Sequence, residues 1–246
     1  EERTTEPLEL VHTDIAGSVD KSFGGCRFAF IFVDDYSRMR KVYTLRQNSE
    51  ALWTLKQFER DVARANGLRI KRRQSDQGGE YTEKAFRQFC AENGIEQEFS
   101  GAYTTQQNGV MERSWHSIFE MARANMITAN MRRRYWAKAV RSAVYCLKRA
   151  PTRPHNGGTP YEKWYGETPK SDHLRVFGCT ACVMFQSQQR RKLDDKAWTG
   201  VCVGYDEYSP SYRIYNPENK SVQLSRHVRF DEEDFVTDHR GQQEHE

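Results

Sequence analysis

The order of periodic segments in the first hundred residues constrains the fold more than any other feature of the sequence. Strand-like apolar runs joined by short polar turns occupy 8–15, 27–34 and 39–45, which predicts an antiparallel meander. A helical apolar repeat at 49–67 and an extended run at 69–75 come next. Because a helix that connects two strands of one sheet makes a crossover, we expect the fourth strand to lie parallel to a strand of the meander.

The following segments complete an α/β architecture. A short helix at 83–93 and a strand at 95–99 predict a five-stranded mixed sheet flanked by helices. Residues 100–108 are polar and lack an apolar period, so we expect a mobile loop there. Two amphipathic helices are then predicted, one from residue 109 onward and one at 135–149.

The character of the sequence changes after residue 150. Two prolines and two glycines fall within 151–158, and short strand-like runs separated by turn residues follow, beginning at 174–179. This spacing predicts a small all-β barrel. The expected domains are a core at 1–150, an arm or linker at 151–171, a β-barrel at 172–234 and a polar tail at 235–246.

Composition excludes several classes of protein. Hydrophobic residues make up 37% of the 246 residues, which is enough for a packed core and excludes a disordered chain. The mean hydropathy of −0.89, together with the lack of a long apolar run, excludes a transmembrane helix. No signal peptide opens the sequence, and its first residues, Glu1-Glu2-Arg3, indicate a cut from a longer polypeptide.

Six cysteines are scattered through the sequence, and nothing in it indicates secretion, so we expect reduced thiols. Cys179 and Cys182 form the one C-x-x-C pair. They fall in a strand-like run, where a separation of three puts the two thiols on opposite faces, and no second pair follows at the spacing of a zinc ribbon. Zinc is therefore not expected.

Three acidic residues stand at positions where such a fold can bring them together. Asp14 ends the first predicted strand and Asp76 ends the fourth, while Glu112 falls in the first turn of a helix that Asn108 and Gly109 can cap. Three carboxylates suit a site for two divalent cations, which would bridge a phosphodiester. The alternative is that these three acids share no site and were picked out by chance, because the chain holds 34 acidic residues.

Neighbouring residues leave two questions open. His12 shares a strand face with Asp14, so it either lines the same site or is a packed structural histidine. Asp34 and Asp35 are rivals for the metal site, although Asp-Asp-Tyr-Ser-Arg is also typical of a turn in which an aspartate accepts backbone N–H bonds. Adjacent side chains on a strand point to opposite faces, so at most one of the two could join Asp14.

Basic residues are clustered rather than evenly spread. The net charge is only +4, but Lys and Arg concentrate at 69–73, 132–134 and 190–192. A single cluster of this kind is typically a solvated surface. Three of them around a candidate metal site favour a polyanionic partner.

Several runs of residues resemble a known family. The runs LELVHTDIAG, FIFVDDYSR, SDQGGEY and YTTQQNGVMER are similar to the catalytic core of copia-type (Pseudoviridae) LTR-retrotransposon integrases. The runs LRVFGC, KAWTGVCVGYD and SRHVRFDEE are similar to the region that follows that core. The resemblance spans residues 8–234. It implies a ribonuclease-H-like core, as in the retroviral integrase superfamily, followed by a small all-β SH3-like barrel.

The resemblance also implies an activity and its site. Asp14, Asp76 and Glu112 match the D, D-35-E triad of the family, whose carboxylates would bind two Mg²⁺ (or Mn²⁺) ions. The chain would then be a polynucleotidyl transferase that processes the 3′ ends of retrotransposon cDNA and joins them to target DNA by transesterification. The alternatives are a catalytically inactive, domesticated DNA-binding derivative and a ribonuclease-H-like nuclease.

The implied partners are double-stranded DNA, both as cDNA ends and as target, other copies of the chain in a multimer, and a host tethering factor, with no membrane. The protein would be intracellular, in a virus-like particle in the cytoplasm and then in the nucleus. The candidate DNA contacts are His12, Lys71, Arg73, Gln107, Asn108, Arg113, His116, Arg190, Arg191 and Lys192.

The sequence departs from the family pattern near the expected site, with a mild change at Gln77, where Asn is usual, and two larger changes. The family loop PYTPQQNG has two prolines where this chain has Ala102 and Thr105, which should loosen the loop. After the catalytic glutamate and its arginine the family usually has Lys-Asn-Arg, whereas this chain has Ser114-Trp115-His116. The second change weakens a basic edge that would face DNA.

Overall fold

The strands of the first sheet form at the apolar runs of the sequence. The structure is a computed structural model that describes residues 4–63, 66–76, 84–99, 105–185 and 196–235, with backbone alone at 63 and 105–108. The strands are β1 Leu10–Ala16, β2 Phe28–Asp34, β3 Arg40–Leu45, β4 Arg72–Ser75 and β5 Glu96–Phe99. β1, β2 and β3 pair antiparallel, while β4 lies parallel to β1 and β5 parallel to β4. The order β3-β2-β1-β4-β5 confirms the predicted five-stranded mixed sheet.

The described α-helices are α1 Ala51–Phe58, α2 Lys84–Glu92, α3 Thr105–Thr128, α4 Trp136–Leu147 and α5 Pro160–Tyr165, and a π-helical segment, Glu59–Ala63, continues α1. α1, α2 and α4 lie where apolar repeats predicted helices. α5 falls inside the predicted arm, and its sequence explains it. The Thr159 hydroxyl accepts a hydrogen bond from the Glu162 N–H at 3.0 Å, and Pro160 occupies the first helical position.

The start of α3 differs from the prediction. The helix begins at Thr105 rather than at Gly109, so the expected loop at 100–108 is wrong for its last four residues, while residues 100–104 lie outside the described part. Gln106 and Gln107 favour helix, and a 24-residue helix outweighs the cost of about 1 kcal/mol that Gly109 brings to a helix interior.

One face of the first sheet carries an apolar core. Phe30 and Phe32 of β2 and Val11 of β1 are buried in one cluster with Leu55 and Phe58 of α1. The rings of Phe32 and Phe58 stack with their centroids 4.3 Å apart. Burial of each such side chain stabilises the fold by about 1.5–3 kcal/mol relative to exposure.

The contacts of the chain divide it into two units. The first is Glu1–Ile118 with Cys146–Lys170, and the second is Phe119–Tyr145 with Ser171–Glu246. The division differs from the expected domains in two places. The end of α3 and most of α4, expected in the core, group with the C-terminal segment, and most of the expected arm groups with the first unit.

The second unit contains a five-stranded antiparallel sheet. Its strands are β6 Thr180–Met184, β7 Ala197–Tyr205, β8 Tyr212–Asn216, β9 Ser221–Ser225 and β10 Val228–Asp231, in the order β10-β6-β7-β8-β9. The strand expected at 174–179 is absent from the structure. Gly178, with φ +86°, makes a turn there that an extended strand does not allow.

No disulfide joins any of the six cysteines, all of which lie in described residues. Among the helices that the structure describes, none combines the length and the apolar character that a membrane span requires.

We predict that Gly200→Ala destabilises the protein, because β7 passes too close to its neighbours there. A Cβ atom at Gly200 would lie 2.6 Å from the Ile214 side chain and 2.7 Å from the carbonyl oxygen of Tyr215, which cannot move aside. The expected loss in the free energy of unfolding is about 1–3 kcal/mol, measured by urea denaturation. Gly24→Ala, whose Cβ would meet nothing closer than 3.9 Å, is the control. Equal losses in the two variants would contradict this packing.

Candidate active site

A buried arginine ties together the two strands that carry candidate acids. Asp76 directly follows β4, as expected, whereas Asp14, expected at the end of the first strand, lies within β1, which continues to Ala16. Arg73 on β4 is fully buried. Its guanidinium donates to the Thr13 hydroxyl at 2.9 Å and to the Ser75 hydroxyl at 2.8 Å. Thr13 and Ser75 immediately precede Asp14 and Asp76. The spacing of the two aspartates is therefore fixed by hydrogen bonds from one charged group in the interior.

The pairing of β1 with β4 places both aspartates at one edge of the sheet. The two strands are parallel, with His12 opposite Gln74. Continued by two residues, this register sets Asp14 beside Asp76. Because side chains alternate along a strand, both acids share the sheet face of His12 and Gln74, and Arg73 lies on the other face.

The third candidate acid comes from α3. Glu112 lies about two turns inside this helix rather than in its first turn, because α3 begins at Thr105. A cavity of about 140 Å³ brings the three acids together; it is lined by His12, Thr13, Asp14, Gln74, Ser75, Asp76, Met111, Glu112 and Trp115. Asp76 and Glu112 are exposed, and Asp14 is half-buried.

Trp115 contacts a candidate acid that the sequence did not associate with it. The residue lies one turn beyond Glu112 and is 8% exposed. Its indole N–H donates to Oδ2 of Asp14 at 2.8 Å. The apolar stripe of the helix predicted only that Trp115 is buried. The available signal was its spacing of three from Glu112, which puts both side chains on one side of the helix.

His12 lines the cavity and is also packed, so it is both a site-lining residue and a structural histidine. It is 5% exposed, and its Nε2 lies 3.0 Å from Oδ1 of Asp35. The Arg38 guanidinium donates to the same oxygen at 2.8 Å. Burial alone would raise the pKa of Asp35, but the hydrogen bond with His12 and the charge of Arg38 outweigh it and hold that pKa well below its usual range. Asp35 is therefore committed to this network.

Asp34 holds a turn, as its sequence context indicated. Its Oδ1 accepts the Leu8 N–H at 2.7 Å, and its Oδ2 accepts both the Ser37 N–H at 2.8 Å and the Ser37 hydroxyl at 2.5 Å. Burial raises the pKa of Asp34, and these hydrogen bonds oppose that rise. Asp34 and Asp35 do not line the cavity.

The cavity has the donor chemistry of a divalent-cation site. Three carboxylates face it, and carboxylate oxygens are ligands that Mg²⁺ and Mn²⁺ prefer. Within the residues that the structure describes, no group of three or more His, Cys, Asp or Glu side chains is arranged to hold a metal ion. Asp76 and Glu112 are exposed, so a change of rotamer is open to both. The residues fit such an ion by their chemistry, and binding requires these side chains to turn toward it.

Comparison with known proteins shows which family has this arrangement. Residues 4–105 match the Integrase core domain, and residues 179–244 match the Retroviral polymerase SH3-like domain. The chain is 35% identical over 237 residues to the Retrovirus-related Pol polyprotein from transposon TNT 1-94 of Nicotiana tabacum, covering 96% of this chain and 18% of that protein. It is 33% identical over 232 residues to the polyprotein from transposon RE1 of Arabidopsis thaliana, covering 94% and 16%.

The chain belongs to the retrotransposon integrase family. It resembles the Pol polyproteins of copia-type elements, as its motifs predicted, and it spans less than a fifth of the length of these relatives, 18% in the first case.

Solved structures share the fold of this integrase. A chain of the simian T-cell lymphotropic virus intasome, in complex with PP2A regulatory subunit B56 gamma, matches 93% of this chain and 80% of its own length at a TM-score of 0.55 and 15% identity. The HTLV-2 integrase catalytic core domain in complex with magnesium (trimeric form) matches 65% of this chain and 97% of its own length at a TM-score of 0.50 and 15% identity. With the two domain matches, these likenesses confirm the expected ribonuclease-H-like core and SH3-like region.

The predicted DNA contacts of the integrase fall into three groups. Arg113 and His116 are exposed on α3, near the cavity. Lys71 is exposed but forms an ion pair with Glu6. Arg73 is a correction, because its full burial leaves it no surface for a phosphate. His12 lines the cavity, but its ring is mostly buried and its Nε2 meets Asp35, so its contact with DNA stays a prediction. The remaining candidates lie outside the described residues or side chains: Gln107, Asn108, Arg190, Arg191 and Lys192.

We predict that Asp35→Asn weakens the integrase fold in a pH-dependent way. The folded-state pKa of Asp35 is lowered from 3.8, so at acidic pH the unfolded state binds more protons; the stabilisation from the charged network is complete above 3.8 and is lost progressively as pH falls toward the folded-state pKa. Loss of bonds to His12 and Arg38 should cost roughly 1–3 kcal/mol at pH 7. Denaturation at pH 7 and at pH 3 measures the effect. The difference from the unsubstituted protein should shrink at pH 3, and a constant difference would contradict the assignment.

Proposed function

We propose that this chain is the catalytic and C-terminal part of an integrase that processes the 3′ ends of retrotransposon cDNA and joins them to target DNA. The observation that carries the proposal is the meeting of Asp14, Asp76 and Glu112 at one cavity, from β1, the end of β4 and α3 respectively. Family membership supports the class of activity, that of a polynucleotidyl transferase. Domain order supports it too, because the SH3-like match follows the core match in the chain.

Asp14, Asp76 and Glu112 would hold Mg²⁺ or Mn²⁺. Two such ions, when bound, would act as Lewis acids toward the attacking and the leaving oxygen of a phosphodiester. The HTLV-2 integrase core, which shares this fold, is described in complex with magnesium. In this chain, Asp14, Asp76 and Glu112 supply the negative charge that such ions require.

The remaining groups of the site orient DNA and hold the acids. Arg73 fixes the spacing of Asp14 and Asp76, and Glu112 stands exposed where α3 borders the cavity. Arg113 and His116, also exposed, can contact DNA phosphates beside the reacting bond. In the reaction a DNA 3′-hydroxyl oxygen forms a bond to phosphorus as the bond to the leaving 3′-oxygen of the target strand breaks. One phosphodiester replaces another, and no nucleotide triphosphate is consumed.

Assembly and location are part of the same proposal. A target duplex must be cut on both strands, so two active sites must act together and the protein works as a homo-multimer on DNA. The simian T-cell lymphotropic virus relative is described within an intasome. A nuclear site of action, reached from a virus-like particle, follows from a DNA target, and a host factor that tethers the integrase there is a further expected partner.

The test is strand transfer by this chain with pre-cut duplex ends, a supercoiled plasmid and Mg²⁺ or Mn²⁺. We expect joining by the unsubstituted protein and none by Asp14→Asn, Asp76→Asn or Glu112→Gln, with folding and DNA affinity nearly unchanged. Asp34→Asn is the matched control. It should lower stability by about 1 kcal/mol, because it weakens a turn, and should still join ends. Circular dichroism checks the fold of each variant.

The same assay separates the alternatives. Cleavage of DNA or RNA without any joined product would indicate a ribonuclease-H-like nuclease. DNA binding with neither cleavage nor joining would indicate an inactive derivative. Joining by Glu112→Gln combined with its loss in Asp34→Asn would show that the acids are wrongly assigned.

We predict that Arg113 and Arg73, both earlier candidates for DNA contact, behave in opposite ways. Arg113→Gln should remove one phosphate contact and reduce the slope of log K against log salt concentration by about 0.9. Arg73→Gln should leave that slope unchanged and lower stability by roughly 2 kcal/mol, because bonds from a buried charge to Thr13 and Ser75 are lost. DNA binding at several salt concentrations and urea denaturation measure the two effects. An unchanged slope in Arg113→Gln would remove this residue from the interface.

A further inference from the structure

Trp115 is the one Phe, Tyr or Trp side chain that lines the active-site cavity among the described residues. It reaches Asp14 from α3 through a hydrogen bond of 2.8 Å between its indole N–H and Oδ2. The acceptor is a candidate metal ligand rather than a backbone carbonyl or water. A tryptophan needed only for packing would not require its single polar atom to meet that group.

The bond determines how the Asp14 carboxylate is oriented. A carboxylate is planar, so a donor that fixes Oδ2 also fixes where Oδ1 points. An indole N–H can donate a hydrogen bond but cannot accept one, so the carboxylate oxygen is the acceptor. Each carboxylate oxygen has about two lone-pair directions, so a bond from Trp115 does not by itself exclude a cation from either oxygen.

The donor itself is held firmly. Trp115 is 8% exposed and belongs to the buried stripe of α3 with Met111 and Ile118. A tryptophan side chain has only two rotatable bonds, so packing leaves its N–H little freedom. Asp14 is only half-buried, within β1, and gains from α3 a hydrogen-bond donor that its own strand does not supply.

We propose that Trp115 is a positioning residue for the divalent cation: its N–H holds Asp14 in the orientation in which that carboxylate binds the ion. The inference rests on the proposed function, because it assumes that Asp14 is a metal ligand. Groups that hydrogen-bond to ligating carboxylates typically change metal affinity by about 10- to 100-fold when they are replaced. The opposite arrangement, in which the indole competes with the cation for Asp14, predicts tighter binding when the N–H is removed.

The first measurement is Mg²⁺ and Mn²⁺ affinity, by calorimetry and by Mn²⁺ electron paramagnetic resonance, on the full chain. Trp115→Phe keeps an aromatic ring in place but removes the N–H, and we expect binding weaker by about 10- to 100-fold. Trp53→Phe, at a residue 62% exposed on α1, is the matched control and should bind as the unsubstituted protein does. Equal or tighter binding by Trp115→Phe, with its fold intact, would overturn the proposal.

The second measurement follows the indole N–H itself. The chain has five tryptophans, and the resonance missing from the ¹H–¹⁵N spectrum of Trp115→Phe identifies that of Trp115. We expect this resonance to shift during a Mg²⁺ titration and to lose that response in Asp14→Asn. A resonance that stays still while the unsubstituted protein binds Mg²⁺ would overturn the proposal for Trp115 alone. If the unsubstituted protein and Asp14→Asn both fail to bind the ion, the metal assignment of the proposed function fails as well.

Discussion

A buried guanidinium fixes the geometry on which the rest of the site depends. Arg73 lies wholly inside the first unit, where an unsatisfied charge would be very costly. Its donors reach Thr13 on β1 and Ser75 on its own strand. If β1 and β4 separated here, these bonds would break in a place that water does not reach. The interior charge therefore holds together the parts of β1 and β4 next to Asp14 and Asp76, which project from the opposite face of the sheet.

The acidic residues in and near the cavity all carry a carboxylate, and the hydrogen-bond partners of each carboxylate determine whether it can bind a metal ion. Asp34 is occupied by N–H and hydroxyl donors from Leu8 and Ser37, and burial raises its pKa. Asp35 is bound to His12 and Arg38, and its pKa falls. The three candidate ligands instead line the cavity, and two of them are exposed. Access to the cavity thus separates the candidate ligands from the structural acids Asp34 and Asp35.

The sheet could be predicted from the sequence because its signals are local: apolar runs, turn residues and one helix between strands. Arg73 could not. The cluster at 69–73 has the composition of a solvated surface, and charge alone does not show which side of a strand faces inward. In the folded chain Arg72 is half-buried and pairs with Glu98, whereas Arg73 one residue later lies inside. The prediction of a strand at 174–179 was wrong for a related reason, because the turn there also depends on a long-range contact. The turn at Gly178 is held by a hydrogen bond from its N–H to the carbonyl oxygen of Cys202 on β7.

The earlier start of α3 changes what the third acid depends on. In a first turn after a mobile loop, Glu112 would move as the helix end frays. In the structure it lies well inside a 24-residue helix, and Trp115 follows it by less than one turn. That helix holds both Glu112 and the N–H that binds Asp14, so a displacement of α3 would move one acid and reorient another together. The local sequence did not show the bond to Asp14, because it is a tertiary contact between residues 101 positions apart. The orientation of Asp14 on β1 and the position of Glu112 on α3 are therefore coupled. A loop that carried Glu112 without Trp115 would not couple them.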